Sequence, residues 1–133
     1  MPTPSQACPC GRADARGKLQ ILAQCCGRYL AGEQPAPDAA SLMRSRYCAF
    51  VLENAPYLLA TWHASTRPAD VSFDTAVKWL GLQVREHREQ DSTHAQVEFV
   101  ARYRLDGRAV RLHERSRFLR EDGRWYYVDG DML

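Results

Sequence analysis

The chain has 133 residues, 45% of them hydrophobic, with three Trp and six Tyr; this excludes a disordered chain and suffices for one cored domain plus a small appendage. The net charge is +2, and from Leu82 onward ten Arg face ten acids, against eight Lys and Arg and six acids in the first 81 residues, so the basic excess that marks a nucleic-acid binder is missing. No apolar run is long enough to cross a bilayer and no charged segment followed by an apolar one opens the chain, so a cytoplasmic protein without a membrane partner is expected.

Residues 1–32 read as a cysteine module. Four of the five cysteines sit there in two tight pairs, Cys8-Pro9-Cys10 and Cys25-Cys26, with fourteen residues between. Four thiolates in two pairs can give zinc a tetrahedral sulfur shell, which is structural because no position stays open for substrate. Gly11 and Gly27 follow the pairs and suit the tight backbone turns of a knuckle. Redox thiols, including a vicinal Cys25-Cys26 disulfide, are the competing reading, and inert buried cysteines the third. Cys48 stands apart on a helical stretch, as a small buried apolar residue.

Glu33 to Pro37 reads as a linker, since its two prolines disfavour helix. A second domain over 38–133 follows. Asp38 offers an N-cap to a first helix running to about Asn54, with Met43, Tyr47, Phe50, Val51 and Asn54 as its stripe. Pro56 opens a short second helix that buries Tyr57, Leu58, Leu59 and Trp62. Phe73, Ala76, Val77 and Leu80 then fall at helical spacing before Gly81, which predicts a third helix from Asp70 or Ser72. From Leu82 the period changes to two. Turns at Gln90-Asp91-Ser92, Asp106-Gly107 and Asp122-Gly123 cut the rest into four strands: Leu82–Glu89, Thr93–Leu105, Ala109–Glu121 and Arg124–Val128. The fold class is therefore α+β: three N-terminal helices packed on a curved four-stranded antiparallel meander, preceded by a small cysteine knuckle. A sheet curled around helices leaves a cone-shaped pocket.

Trp62, His63, Arg67, Glu114, Trp125 and Tyr127 are the candidates for lining it. Glu114 shares strand parity with Val110, Leu112 and Phe118, so it points toward an apolar interior. There it is either a general base with His63 as acid-base partner, or one half of an ion pair with Arg46, Arg67 or Arg102. His63 alternatively satisfies carbonyls at a helix end. The aromatics are pocket walls or plain core. Arg111, His113, Arg115 and Arg117 alternate on the opposite, solvated face. No nucleophile elbow or phosphate-binding glycine loop is present.

Cys8-Pro9-Cys10-Gly11 with Leu22-Ala23-Gln24-Cys25-Cys26-Gly27 resembles the SEC-C motif, the zinc knuckle at the C-terminus of the preprotein translocase motor SecA. Downstream, Leu42-Met43-Arg44-Ser45-Arg46-Tyr47, Thr61-Trp62-His63, Ser65-Thr66-Arg67-Pro68, His113-Glu114-Arg115-Ser116-Arg117-Phe118 and Gly123-Arg124-Trp125-Tyr126-Tyr127-Val128-Asp129-Gly130 resemble the YchJ-type family of uncharacterised bacterial proteins. The resemblance covers nearly the whole chain. It implies a domain similar to nuclear transport factor 2 (NTF2) and the ketosteroid isomerases, behind a zinc-binding SEC-C knuckle. The loop Gly11–Lys18 is longer than the usual SEC-C loop, and Leu22 stands where an aromatic is usual.

Two functions from different classes follow. One is a non-enzymatic zinc-binding adaptor. Its knuckle meets a protein partner, export-chaperone or ribosome-associated by the resemblance, while the cone holds a ligand or second partner. The other is a small isomerase or hydratase working through Glu114 and His63. RNA contact through Arg12, Arg16, Lys18 and Arg28 is a weaker third.

Overall fold

In the computed structural model, which describes residues 5–133, two Asp-Gly pairs make the hairpins that organise the chain. Asp106 and Gly107 have φ of 52° and 77°, and Asp122 and Gly123 have 53° and 77°. Positive φ at both central residues matches the right-handed twist of the flanking strands. The remaining turn is held by a side chain: Asp91 Oδ1 accepts from the backbone N–H groups of Thr93 and His94, each at 2.8 Å. The resulting strands, β1 (Lys78–Glu89), β2 (His94–Leu105), β3 (Arg108–Glu121) and β4 (Arg124–Met132), form one antiparallel meander in the order β1-β2-β3-β4. Register shifts in β1, between Trp79 and Gly81 and between Val84 and Glu86, and at Arg117/Phe118 in β3 bend the sheet.

Three helices precede the sheet: α1 (Gly27–Leu30), α2 (Ala39–Val51) and α3 (Ala55–Ala60). The fold is thus α+β with three helices and four strands, as expected, but the helices fall elsewhere. The first of them belongs to the cysteine module. The helix expected from Asp70 or Ser72 to Leu80 does not form. Residues 64–77 are irregular chain with turns at 64–66 and 75–76, Lys78–Leu80 join β1, and Leu80 is half exposed. Lys78 and Trp79 pair with Arg104 and Tyr103, so the extension satisfies backbone groups of β2 that a helix would leave bare. Trp79 also packs on Tyr47, Phe50 and Tyr103. Its ring was absent from the helical stripe, and strand pairing won over a four-residue periodicity.

Asp38 caps α2, accepting from Ser41 N–H at 2.7 Å. The helix ends at Val51 rather than near Asn54, because Asn54 instead caps α3 through Tyr57 N–H at 3.1 Å. Nine of the thirteen α2 residues are buried, since the helix is enclosed by the sheet, by α3 and by the cysteine module. Residues 61–63 add a parallel bridge to the edge of β4: Tyr127 N–H donates to Thr61 O and His63 N–H to Tyr127 O, both at 2.8 Å. The buried cysteines and the aromatic side chains of the sheet belong to one continuous core.

Candidate functional site

Two sites lie on opposite faces of α2. On one face, Ser41, Arg44 and Cys48 hold the cysteine module; on another, Met43, Arg46, Tyr47 and Phe50 wall a cavity in the cone. Both sets follow helical spacing.

The module is a distorted hairpin. Ala7 bridges Ile21 and Ala13 bridges Leu19, with Cys8 N–H donating to Gln20 O at 2.8 Å. The lengthened loop is the hairpin tip. Asp14 Oδ1 accepts from Arg16 and Lys18 N–H, and Gly17 turns the chain at φ 79°. Loop residues 12–19 are exposed, whereas the four cysteines are buried. Gly11, at φ 75°, makes the turn after Cys10 and donates its N–H to Cys8 O at 3.1 Å. Gly27 serves a different purpose from the turn expected of it. A Cβ there would lie 2.6 Å from Leu22 O, so its bare backbone lets α1 approach the 3-10 turn Leu22–Gln24. That turn delivers Cys25, and Cys26 follows at the start of α1.

The Sγ atoms of Cys8, Cys10, Cys25 and Cys26 all lie within 4.8 Å of one another, and all four residues are buried. Cys10 and Cys25 are 3.6 Å apart and Cys25 and Cys26 4.0 Å. Sulfur ligands about 2.3 Å from a tetrahedral zinc stand about 3.8 Å apart, so the spacing fits a metal shell; all five cysteines are free thiols. The crowding splits the thiols electrostatically. Cys10 is held well below the ordinary thiol range, chiefly by the hydrogen bond from Cys25, and that same bond pushes Cys25 up.

Cys48 is buried, as its place on a helix suggests, yet it does not stand apart. Its Sγ lies 3.5 Å from that of Cys8. On the same face Arg44 donates to Cys10 O at 3.2 Å and Arg12 to Ser41 Oγ at 3.2 Å. The i, i+3, i+7 spacing of Ser41, Arg44 and Cys48 was the available signal, hidden because none of the three is strongly hydrophobic.

The cone cavity has a volume of about 500 Å³ and walls made largely of Tyr47, Phe50, Trp79, Phe99, Tyr103 and Tyr127. Of the six residues expected to line it, Trp62, Glu114 and Tyr127 do so; His63, Arg67 and Trp125 lie outside. His63 sits at the sheet's other end, with Nε2 2.9 Å from Glu121 Oε2 and Nδ1 2.7 Å from Ser65 Oγ, so it is no acid-base partner for Glu114. It was drawn away because its backbone joins the edge of β4 and turns the ring toward Tyr126. Arg67 is exposed and donates to Trp62 O at 2.9 Å. Trp125 is buried, but across the sheet end, beside the Tyr29–Gly32 segment.

Glu114 points inward as its parity implies, and the expected arginine pair is absent: among the described residues no cation lies within 4.0 Å of it. Ser116 Oγ donates to Glu114 Oε2 at 2.5 Å, and a Cβ on Gly130 would lie 2.8 Å from that same carboxylate. Arg46, which sequence reasoning placed only as a counter-ion, brings a positive charge to the cavity, whose lining also includes the exposed Asp74. Arg46 is 3% exposed and stacks over the Trp62 and Tyr127 rings at 5.1 and 4.6 Å. Its Nη1 donates to Leu58 O at 2.8 Å and Thr61 Oγ1 at 2.7 Å. Burial lowers its pKa to about 10, against the pull of Tyr127, Tyr57 and Glu114. On the outer face, Glu98 pairs with His113 at 2.8 Å and Arg115 at 3.2 Å, and Arg117 pairs with Asp129 and Asp131.

Comparison with known proteins places this geometry. Residues 38–130 match the family described as YchJ, middle NTF2-like domain. A UPF0225 protein of Polaromonas sp. (strain JS666) is 69% identical, over 96% of this chain and 94% of its own length. One from Bordetella parapertussis is 57% identical, over 98% and 96%. Among solved structures, a SEC-C motif containing protein from Rhodopseudomonas palustris superposes with a TM-score of 0.81 at 33% identity, covering 96% of this chain and 98% of that one. A second, from Psychrobacter arcticus, gives a TM-score of 0.78 at 29% identity, covering 93% and 81%.

Proposed function

The chain belongs to the YchJ family of UPF0225 proteins, and on that footing we propose that it is a zinc-binding adaptor whose SEC-C knuckle meets a protein partner. The observation that carries the zinc is the set of four buried Sγ atoms within 4.8 Å of one another, at the spacing of a sulfur tetrahedron. Cys8, Cys10, Cys25 and Cys26 hold the ion. It supplies a cross-link between the two arms of the module, and a full sulfur shell leaves it no catalytic role.

What supports the adaptor reading is the division of the module into a sheltered metal side and an exposed tip. The tip carries the exposed Arg16 and Lys18 and the half-exposed Leu19, while Arg12 donates to Ser41 Oγ on α2. A partner of the export-chaperone or ribosome-associated kind would meet this tip, and the protein works in the cytoplasm. Elemental analysis of untagged protein prepared without added metal or chelator tests the first half: one zinc per chain is expected. Cosedimentation with ribosomes tests the second, with a Cys8→Ser, Cys25→Ser variant as control. A variant that keeps every interaction of the parent sinks the adaptor.

A second reading rests on Glu114. It faces a cavity of ligand size, and among the described residues no arginine pairs with it within 4.0 Å. A carboxylate so placed can take a proton from a carbon acid or from water, which is isomerase or hydratase chemistry. His63 has no part in it. In this reading the cone holds a small molecule, and Glu114→Gln abolishes turnover while leaving the zinc content at one per chain.

A further inference from the structure

Beside the exposed Asp74, the cavity lining carries two opposite charges that do not touch. Arg46 comes from α2 and Glu114 from β3, each held by its own supports. Arg46 is braced by two aromatic rings, a carbonyl and a threonine hydroxyl. Glu114 is braced by the Ser116 hydroxyl on one oxygen and by the space that Gly130 leaves. Neither brace uses the whole group. A guanidinium has five N–H donors and a carboxylate about four acceptor sites. Among the described residues no buried side-chain nitrogen or oxygen lacks a hydrogen-bond partner. Among the described residues the spare donors of Arg46 and the second oxygen of Glu114 have no bond, so they open onto space, and the space that both line is the cone cavity.

We infer that the cone binds an uncharged, largely aromatic or alicyclic molecule, whose polar head accepts from Arg46 and donates to Glu114. This rests on the reading in which the cone holds a small molecule, and it names the class. A volume of about 500 Å³ is that of ordinary small-molecule sites, and the aromatic walls set the apolar body of the ligand. The split charge pair sets the head. An anion gains from Arg46 but is opposed by Glu114; a cation gains from Glu114 but is opposed by Arg46. Either way the ligand's own charge leaves water without net compensation, which is costly in an apolar site. A hydroxyl or amide head pays no such desolvation and can use both charges at once, through one donated and one accepted charge-assisted hydrogen bond.

Three probes with one ring system and different heads test this on the full chain with its metal: 2-naphthol, 2-naphthoate and 2-(aminomethyl)naphthalene. Affinities are read at pH 7 from amide shifts, with Ala101, Leu112 and Ser116 reporting on the cavity. The neutral naphthol is expected to bind about tenfold tighter than either ion. In Glu114→Gln the gap closes: with Glu114 no longer opposing its charge, naphthoate gains on naphthol by about tenfold and draws level. Equal binding of all three probes to the parent overturns the class while leaving the cone as a ligand site. Binding of none at millimolar concentration overturns both. Naphthoate that fails to gain in a folded Glu114→Gln variant also overturns it. If that variant does not fold, the ranking on the parent decides alone.

Discussion

The cysteine module and the cone reach order by different physics. Between Gln6 and Leu30 regular structure amounts to two single bridges, one 3-10 turn and one four-residue helix. Such a segment has too little backbone pairing and too few apolar side chains to offset its own chain entropy; its centre is sulfur. The cone is the reverse, a four-stranded sheet whose inner face is packed with aromatics. Helix α2 is the wall between them and is buried on both faces for that reason. A small element can be as fixed as a large one if it borrows a wall and adds a cross-link.

The largest separation should come from removing the metal. With a strong chelator, or in Cys10→Ser, zinc falls to zero per chain and amide protection is lost over residues 6–31, while β2 and β3 keep theirs. Structural zinc supplies on the order of 10 kcal/mol of apparent binding energy in small modules, so a module that stays protected would show that the wall suffices. The converse experiment is Phe118→Ala. Phe118 is 2% exposed at the centre of the sheet, and its loss should cost the cone about 3–5 kcal/mol in denaturant unfolding with zinc still at one per chain.

Alkaline pH should weaken the cone through its buried tyrosines. Burial pushes Tyr47, Tyr57 and Tyr127 up to about 12 from the usual 10.0. Between those values the unfolded chain has lost three protons that the folded chain keeps, so stability falls as pH rises. Arg46, lowered from 12.5 to about 10, acts in the opposite sense, because there the unfolded chain holds the extra proton. Three groups against one leave the fall in place. The melting temperature should therefore decline from pH 10 to 12, and a flat profile would contradict the burial of these hydroxyls.

Two smaller effects sharpen the boundary. Cys48→Ala removes the contact with Cys8 and should cost about 1–2 kcal/mol with zinc unchanged; a fall in zinc would make Cys48 a ligand. Asp38→Ala removes the cap of α2 and should cost about 1 kcal/mol, seen in module and cone together because they share the helix.

How far the sequence could be read follows from the same contrast. The hairpins were legible because Asp-Gly requires positive φ at two successive residues, and few structures but a tight hairpin want that. The cysteine set was legible from its pairing in the chain. The segment from Asp70 to Leu80 misled because Phe73, Ala76, Val77 and Leu80 fit a helix locally, while the partners of Lys78 and Trp79 lie some 25 residues on. Glu114 could be placed by strand parity, but its freedom from arginine could not, since Arg46 spends its bonds on Leu58 and Thr61 and two aromatic rings. His63 was misjudged because a bridge between residues 61–63 and β4 has no signature in either segment.

The order of the two regions along the chain sets a sequence in time. All four sulfur ligands have been synthesised by residue 26, whereas α2, which shelters them, is complete only at Val51. At about 5–20 residues per second, the ligand set exists for roughly one to five seconds before its wall does. Over that interval the four cysteines have been made and the helix that covers them has not. In the finished protein α2 closes over the cluster and Cys48 lies against Cys8. The ligand set thus precedes, in order of synthesis, the helix that buries it.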